Sequence, residues 1–163
     1  VLLQNRSVVT ESEMQEMDDE GSGTILLVED NAPAREATAA LLQMIGYRVL
    51  AAGNGRSGLE LFVRHRDSIH VVLSDLVMPE MGGIELCREI HRLNPDTCVL
   101  IITGYPLENE NLPSTEQERV GWLQKPFTVK QLMEAVRRVV ERGTTTATGR
   151  DEQNGKAKPT KQR

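Results

Sequence analysis

Glu29, Asp30, Asp75, Thr103 and Lys125 are the residues whose types and placement could do chemistry together. Each stands at or just past the end of an apolar run: Thr24–Val28 before the acid pair, Ile69–Ser74 before Asp75, Thr97–Ile102 before Thr103, and Val120–Gln124 before Lys125. Clustered carboxylates repel one another and call for a hard cation. Mg²⁺ suits such a set, because it prefers one or two carboxylates plus waters and phosphate oxygens. A Thr hydroxyl and a Lys ammonium supply what a phosphoryl group requires, a hydrogen-bond donor and a point charge. An Asp carboxylate can act as a nucleophile and form an acyl phosphate. Positioning and charge neutralisation carry most of the catalysis in such transfers. The residues therefore suggest phosphoryl transfer onto Asp75, provided that the fold brings them to one edge.

The apolar runs are short, rich in aliphatic and β-branched residues, and closed by turn formers, as expected of buried parallel strands. Asp75 is followed by Leu76-Val77-Met78-Pro79-Glu80-Met81-Gly82-Gly83, a turn sequence. Helical stripes separate the runs. Pro33 fits the first turn of a helix carrying Ala37, Leu41, Leu42 and Ile45, which Gly46 stops. Tyr47–Ala52 reads as the second strand, and Leu59, Phe62 and Val63 mark a second helix that breaks near Arg66-Asp67. Ile84, Leu86, Cys87, Ile90 and Leu93 mark a third, ended by Asn94-Pro95. Gly104–Arg119, with Pro106 and Pro113, predicts at best a weak or irregular helix. Thr128 is the expected N-cap of a last helix that carries Val129, Leu132, Met133, Val136, Val139 and Val140 and ends near Arg142. Strands alternating with helices imply right-handed βαβ units and a parallel sheet. In such sheets, ligands gather at the carboxyl ends of the strands.

Three parts follow: a linker over 1–23, a domain over 24–142 and a disordered tail over 143–163. The whole 163-residue chain has a net charge of -5, with 39% hydrophobic residues, enough for one core. Acids crowd the first part and bases the last. The domain between is mildly acidic, so no nucleic-acid footprint is expected. The tail lacks an aromatic or amphipathic pattern and reads as solvated. Cys87 and Cys98 lack metal spacing and are expected as buried thiols in a reducing compartment. No run approaches a membrane span. The chain opens on Val1 without Met or a secretory signal, which suggests a piece of a longer or processed protein. His65, His70 and His91 are expected as exposed or capping residues, not as phosphotransfer sites. Met78 and Met81 are expected as loop and core residues.

Four motifs, in order, make residues 24–142 resemble a response-regulator receiver domain of the CheY-like type. They are Leu27-Val28-Glu29-Asp30-Asn31, Leu73 through Gly83, Ile101-Ile102-Thr103-Gly104-Tyr105 and Leu123-Gln124-Lys125-Pro126-Phe127. The resemblance implies a flavodoxin-like, doubly wound α/β fold with five parallel strands in the order 2-1-3-4-5. It implies Asp75 as phosphoacceptor, Glu29 and Asp30 as Mg²⁺-binding acids and the Val77 carbonyl as a further metal ligand. Thr103 would contact the phosphoryl group and move with Trp122 as a switch, Lys125 would pair with the phosphoryl group, and Lys125-Pro126 would be cis. The donor would be a histidine kinase or a phosphotransfer domain in a cytoplasmic two-component phosphorelay of bacterial or archaeal type. A homodimer or an intramolecular contact with a kinase domain is left open. No nucleic acid or membrane is expected to bind this chain, although a parent protein could be membrane-anchored.

The sequence departs from the commonest receiver pattern in places. The acid pair is Glu-Asp, and Glu is one methylene longer, so its metal contact could run through water. Val77 and Tyr105 flank the path of an attacking water and would tune dephosphorylation. Trp122 is bulkier than the usual Tyr or Phe, and packing alone would also account for it. Two hosts are weighed, with preference for the first: the C-terminal receiver of a hybrid sensor histidine kinase, and a stand-alone regulator. Two other classes compete. A Mg²⁺-dependent aspartyl-phosphate phosphatase would usually carry a second Asp two residues after the nucleophile, where this chain has Val77. A phosphorylation-independent interaction module would not need the intact acid, Thr and Lys set.

Overall fold

The computed structural model describes residues 23–105 and 119–148. Strand β1 spans Thr24–Val28, helix α1 Ala32–Met44, β2 Arg48–Ala52, α2 Gly55–His65, β3 Ile69–Asp75, α3 Gly83–Leu93, β4 Cys98–Thr103, β5 Val120–Gln124 and α4 Val129–Thr148. All five strands are parallel, in the order β2-β1-β3-β4-β5. This is the flavodoxin-like order expected. The irregular helix expected within Gly104–Arg119 falls on residues 106–118, and the linker on residues 1–22; both lie outside the described residues.

Period-two alternation divides the core between the two faces of the sheet. Ile25, Leu27, Val71, Leu73, Leu100 and Ile102 face α1 and α4, packing on Leu42, Ile45, Leu132, Val136 and Val139. Leu26, Val28, Val72, Val99 and Ile101 face α2 and α3, packing on Phe62, Leu86, Cys87 and Ile90. Central strands buried on both sides explain the unbroken apolar runs in the sequence. Cys87 and Cys98 are both buried thiols, as expected, and their side chains belong to the cores on opposite faces of the sheet.

The helix starts are chemically specified. Asn31 caps α1 by accepting from Ala34 N–H (2.9 Å), and Asn54 caps α2 by accepting from Ser57 N–H (2.8 Å). At α4, Thr128 Oγ1 accepts from Gln131 N–H (3.2 Å) while Gln131 Oε1 accepts from Thr128 N–H (2.9 Å), a reciprocal capping box.

Helix α4 does not end near Arg142 but continues to Thr148. Gly143, the first residue of the tail expected to be disordered, is buried within it. A Cβ there would lie 2.6 Å from Cys98 Sγ. Tertiary packing therefore requires a residue without a side chain at that point, and the helix passes through. Of the histidines, His65 and His70 are exposed as expected, and only His91 departs from the expectation. It is half-buried and its Nε2 lies 2.9 Å from the Thr97 carbonyl, tying α3 to the start of β4. His70 Nδ1 accepts from Thr24 N–H (3.1 Å), joining the starts of β1 and β3.

Candidate functional site

The parallel sheet places the carboxyl ends of β1, β3, β4 and β5 on one edge, and the expected residues arrive there. Asp75 is the last residue of β3, and its side chain is 14% exposed. Glu29 follows β1 and is buried; Asp30, next along, is exposed. One ligand atom from each of these acids lies within 4.8 Å of the others. That spacing, and an all-oxygen donor set, fit a hard divalent cation. Thr103 ends β4 and is buried. It lies one position beyond Ile102, the partner of Asp75 across the ladder. Its Oγ1 accepts from Tyr105 N–H (3.0 Å), which leaves the hydroxyl proton for another acceptor.

Lys125 follows β5 at a cis peptide to Pro126, and its N–H donates to the Thr103 carbonyl (2.7 Å). This main-chain bond fixes the root of the side chain beside β4. The ammonium reaches across the edge to Glu29 Oε2 (3.0 Å) and Asp75 Oδ1 (3.3 Å). Burial alone would lower its pKa. The hydrogen bond to Glu29 and the charges of Asp75 and Glu29 outweigh that effect and hold it above the ordinary lysine value.

The flanking residues are placed differently. Val77 and Tyr105, two positions after Asp75 and Thr103, are 59% and 66% exposed. Trp122 lies inside β5, opposite Ile101, half-buried against the α2–α3 side of the core. It also lines a cavity of about 480 Å³ with Leu100, Gln131 and Arg138. That cavity contains neither Lys125 nor any of the three acids, so the cavity and the chemistry are separate.

Three contributors escaped the sequence reading. Arg35 Nη1 donates to the Glu29 carbonyl (2.8 Å), reaching back from the first turn of α1. Asn31 N–H donates to Glu29 Oε1 (3.1 Å), in addition to the capping role of its side chain. Gly83 N–H donates to the Leu76 carbonyl (2.9 Å), and a Cβ on Gly83 would collide with the Asp75 carbonyl oxygen. The Gly82-Gly83 turn signal was visible; its contact with Asp75 was not. No motif marks Arg35 or the N–H of Asn31.

The model of the response regulator receiver domain matches residues 25–137. The chain belongs to this family. The phosphoacceptor role on an Asp is typical of receivers, as domains of two-component regulators. Among curated proteins, the chain is 38% identical over 124 residues to the sensor kinase CckA of Brucella abortus, covering 75% of the chain and 13% of that kinase. It is 33% identical over 116 residues to the response regulator receiver protein CpdR of the same organism, covering 71% of the chain and 95% of CpdR. The chain thus spans only a small part of the one receiver relative and nearly all of the other. Among solved structures, the response regulator TrrA from Thermotoga maritima, in complex with Mg²⁺-BeF, superposes with a TM-score of 0.64 at 27% identity, covering 72% of the chain and 98% of TrrA. Among the described residues, no helix is long and apolar enough to cross a membrane.

Proposed function

We propose that Asp75 accepts a phosphoryl group from the phosphohistidine of a histidine kinase or phosphotransfer domain, and that the domain stores a signal in that bond. The observation that carries this reading is the position of Lys125, 3.3 Å from Asp75 Oδ1, on an edge where three acids converge. A carboxylate oxygen of Asp75 attacks phosphorus, the phosphorus–nitrogen bond to the donor histidine breaks, and the imidazole leaves with its electron pair. Lys125 and the Thr103 hydroxyl are placed to receive the phosphoryl oxygens. Asp30, Asp75 and the Val77 carbonyl would hold Mg²⁺, with Glu29 behind them; when bound, the ion would neutralise charge on the acids and the phosphoryl oxygens. Binding of Thr103 to the phosphoryl group would draw the end of β4 inward, with Trp122 as the readout on β5. Such a switch requires that phosphate favour one of two states.

The phosphatase alternative is disfavoured by Val77, whose side chain offers no acid where a leaving group would need a proton. The chain is therefore proposed as a regulator and not as an enzyme acting on outside substrates. The similarity to CckA supports a hybrid sensor kinase as host, on the cytoplasmic side, with the kinase domain as phosphodonor. The near-complete coverage of CpdR supports the stand-alone alternative.

The test is incubation with Mg²⁺ and acetyl phosphate, followed by intact-mass measurement. We expect the parent to gain one phosphoryl group and Asp75→Asn to gain none. A parent that gains nothing, or an Asp75→Asn variant that gains as much, refutes the assignment.

A further inference from the structure

At the opposite edge of the sheet, where the strands begin, one main-chain N–H is satisfied by a side chain. The register of β1 on β3 pairs Thr24 with Ile69 and then Ile25 with Val71, so His70 has no partner on β1. An extra residue of this kind is a bulge, which re-aims the side chain that it carries. Here the ring of the exposed His70 meets the start of β1, and its Nδ1 accepts from Thr24 N–H (3.1 Å). Gly23, the residue before, has a φ of 153°, and its carbonyl accepts from Arg48 N–H on β2 (2.9 Å). A Cβ on Gly23 would lie 3.1 Å from His70 Cγ and Nδ1. The point at which residues 1–22 join the sheet is thus held from two sides, by β2 and by one imidazole.

We infer that His70 is a proton-operated latch on that junction. An imidazole accepts at Nδ1 only while it is neutral, with its hydrogen on Nε2. Protonation places an N–H at Nδ1, so that donor faces donor and the bond to Thr24 is lost. Histidine is the side chain whose ordinary charge change falls between about pH 5 and 8, so the latch is closed above that range and open below it. The neighbouring elements carry few charges. β1 has none, and Arg48 of β2 pairs in register with Thr24, one strand further from His70. Arg66 and Asp67 precede β3, and Glu141 and Arg142 lie near the end of α4. Asp96, before β4, has its carboxylate on Arg119 (3.1 Å). Among the described residues, none of these acids forms an ion pair with the His70 ring. Opening the latch frees the first residue of β1, and with it the direction in which the preceding segment leaves the domain. The device is independent of the phosphoacceptor reading, because it stands at the other edge of the sheet.

The test is amide hydrogen exchange of the isotope-labelled full chain, read by NMR as protection factors at about pH 8 and about pH 5. Thr24 is expected to lose protection by about threefold or more at the lower pH, the scale of one hydrogen bond given up. The Leu73 amide, in the middle of β3, is the internal reference, and its protection is expected to hold. His70→Asn carries an oxygen where the imidazole carries Nδ1, and that oxygen does not titrate. Its Thr24 protection is expected to be the same at both pH values, and His70→Leu is expected to give the low value at both. Equal protection of Thr24 at both pH values in the parent overturns the inference. So does a fall of the same size in His70→Asn, and so does a fall that Leu73 shares, which would mark a general loosening of the sheet.

Discussion

Replacing Gly83 with alanine tests how closely the site is built into the backbone. Gly83 opens α3 and is buried. A Cβ at this position would press on the Asp75 carbonyl oxygen, and would lie 3.1 Å from Leu76 Cα and 3.2 Å from the Asp75 carbonyl carbon. These are main-chain atoms at the end of a central strand, so no rotamer change can relieve the contact. Either α3 retreats, lengthening the 2.9 Å bond from Gly83 N–H to the Leu76 carbonyl, or the end of β3 is pushed aside. Overpacking of this kind costs about 1–3 kcal/mol. Alanine recovers up to about 1 kcal/mol through helix propensity and a less flexible unfolded chain. The net loss is therefore about 0–3 kcal/mol, centred on about 1.5 kcal/mol, which at that centre is roughly 4–8 °C in melting temperature for a domain of intermediate size. Gly104→Ala is the matched control. Among the described residues nothing lies within 4 Å of its Cβ position, and its φ is not positive, so alanine there is expected to be neutral or stabilising by up to about 1 kcal/mol. Thermal unfolding followed by circular dichroism reads both variants. A Gly83→Ala protein that melts with or above the parent refutes the steric argument.

Other outcomes follow from the same geometry. Val77→Asn, at an exposed position two after Asp75, is expected to lose phosphate faster than the parent because an amide can orient the attacking water; the decay of the phosphorylated mass over time measures this. Asn54→Ala removes the cap that accepts from Ser57 N–H at 2.8 Å and is expected to cost about 0.5–2 kcal/mol of stability in denaturant titrations, while phosphorylation proceeds as in the parent. The Cys98 thiol is pushed above its usual pKa of 9.0 by burial, against the lowering effect of Arg119, with Asp96 adding to the rise. A raised folded value means that the stabilising contribution is complete below the unfolded pKa and is lost as pH rises through the folded one. Stability of the parent is therefore expected to fall above about pH 9, and less so in Cys98→Ala, when chemical denaturation is compared across that range.

Much of this was legible in the sequence because local chemistry and tertiary structure agree. β1, β3 and β4 are buried on both faces, so their apolar runs could hardly be read otherwise. The acids, Thr103 and Lys125 stand at run ends, and parallel topology turns run ends into one edge. Where burial is partial the signal weakened: β2, with Arg48 exposed and Val49 and Leu50 half-buried, begins one residue later than Tyr47 suggested. The end of α4 was misplaced for the opposite reason. Gly143 and the threonines after it are poor helix formers, and only the packing of Gly143 on Cys98 shows why the helix passes through. The internal wiring of the site was invisible for a third reason. Lys125 to Glu29 and Arg35 to the Glu29 carbonyl are contacts of individual atoms, which neither periodicity nor turn chemistry encodes.

The Lys125–Glu29 bond joins residues 96 positions apart, and this separation has a consequence in time. During synthesis the acids of β1 and β3 emerge well before the lysine that balances them. Domains generally fold as units while the chain is made, at about 5–20 residues per second. For the seconds between Asp75 and Lys125, the nascent chain carries the proposed phosphoacceptor without its counter-charge. It is then chemically mute: a donor that met it would find an acid but no partner for the transferred oxygens. On the proposed reading, competence arrives with β5, and phosphoryl transfer can begin only when that strand has joined the sheet.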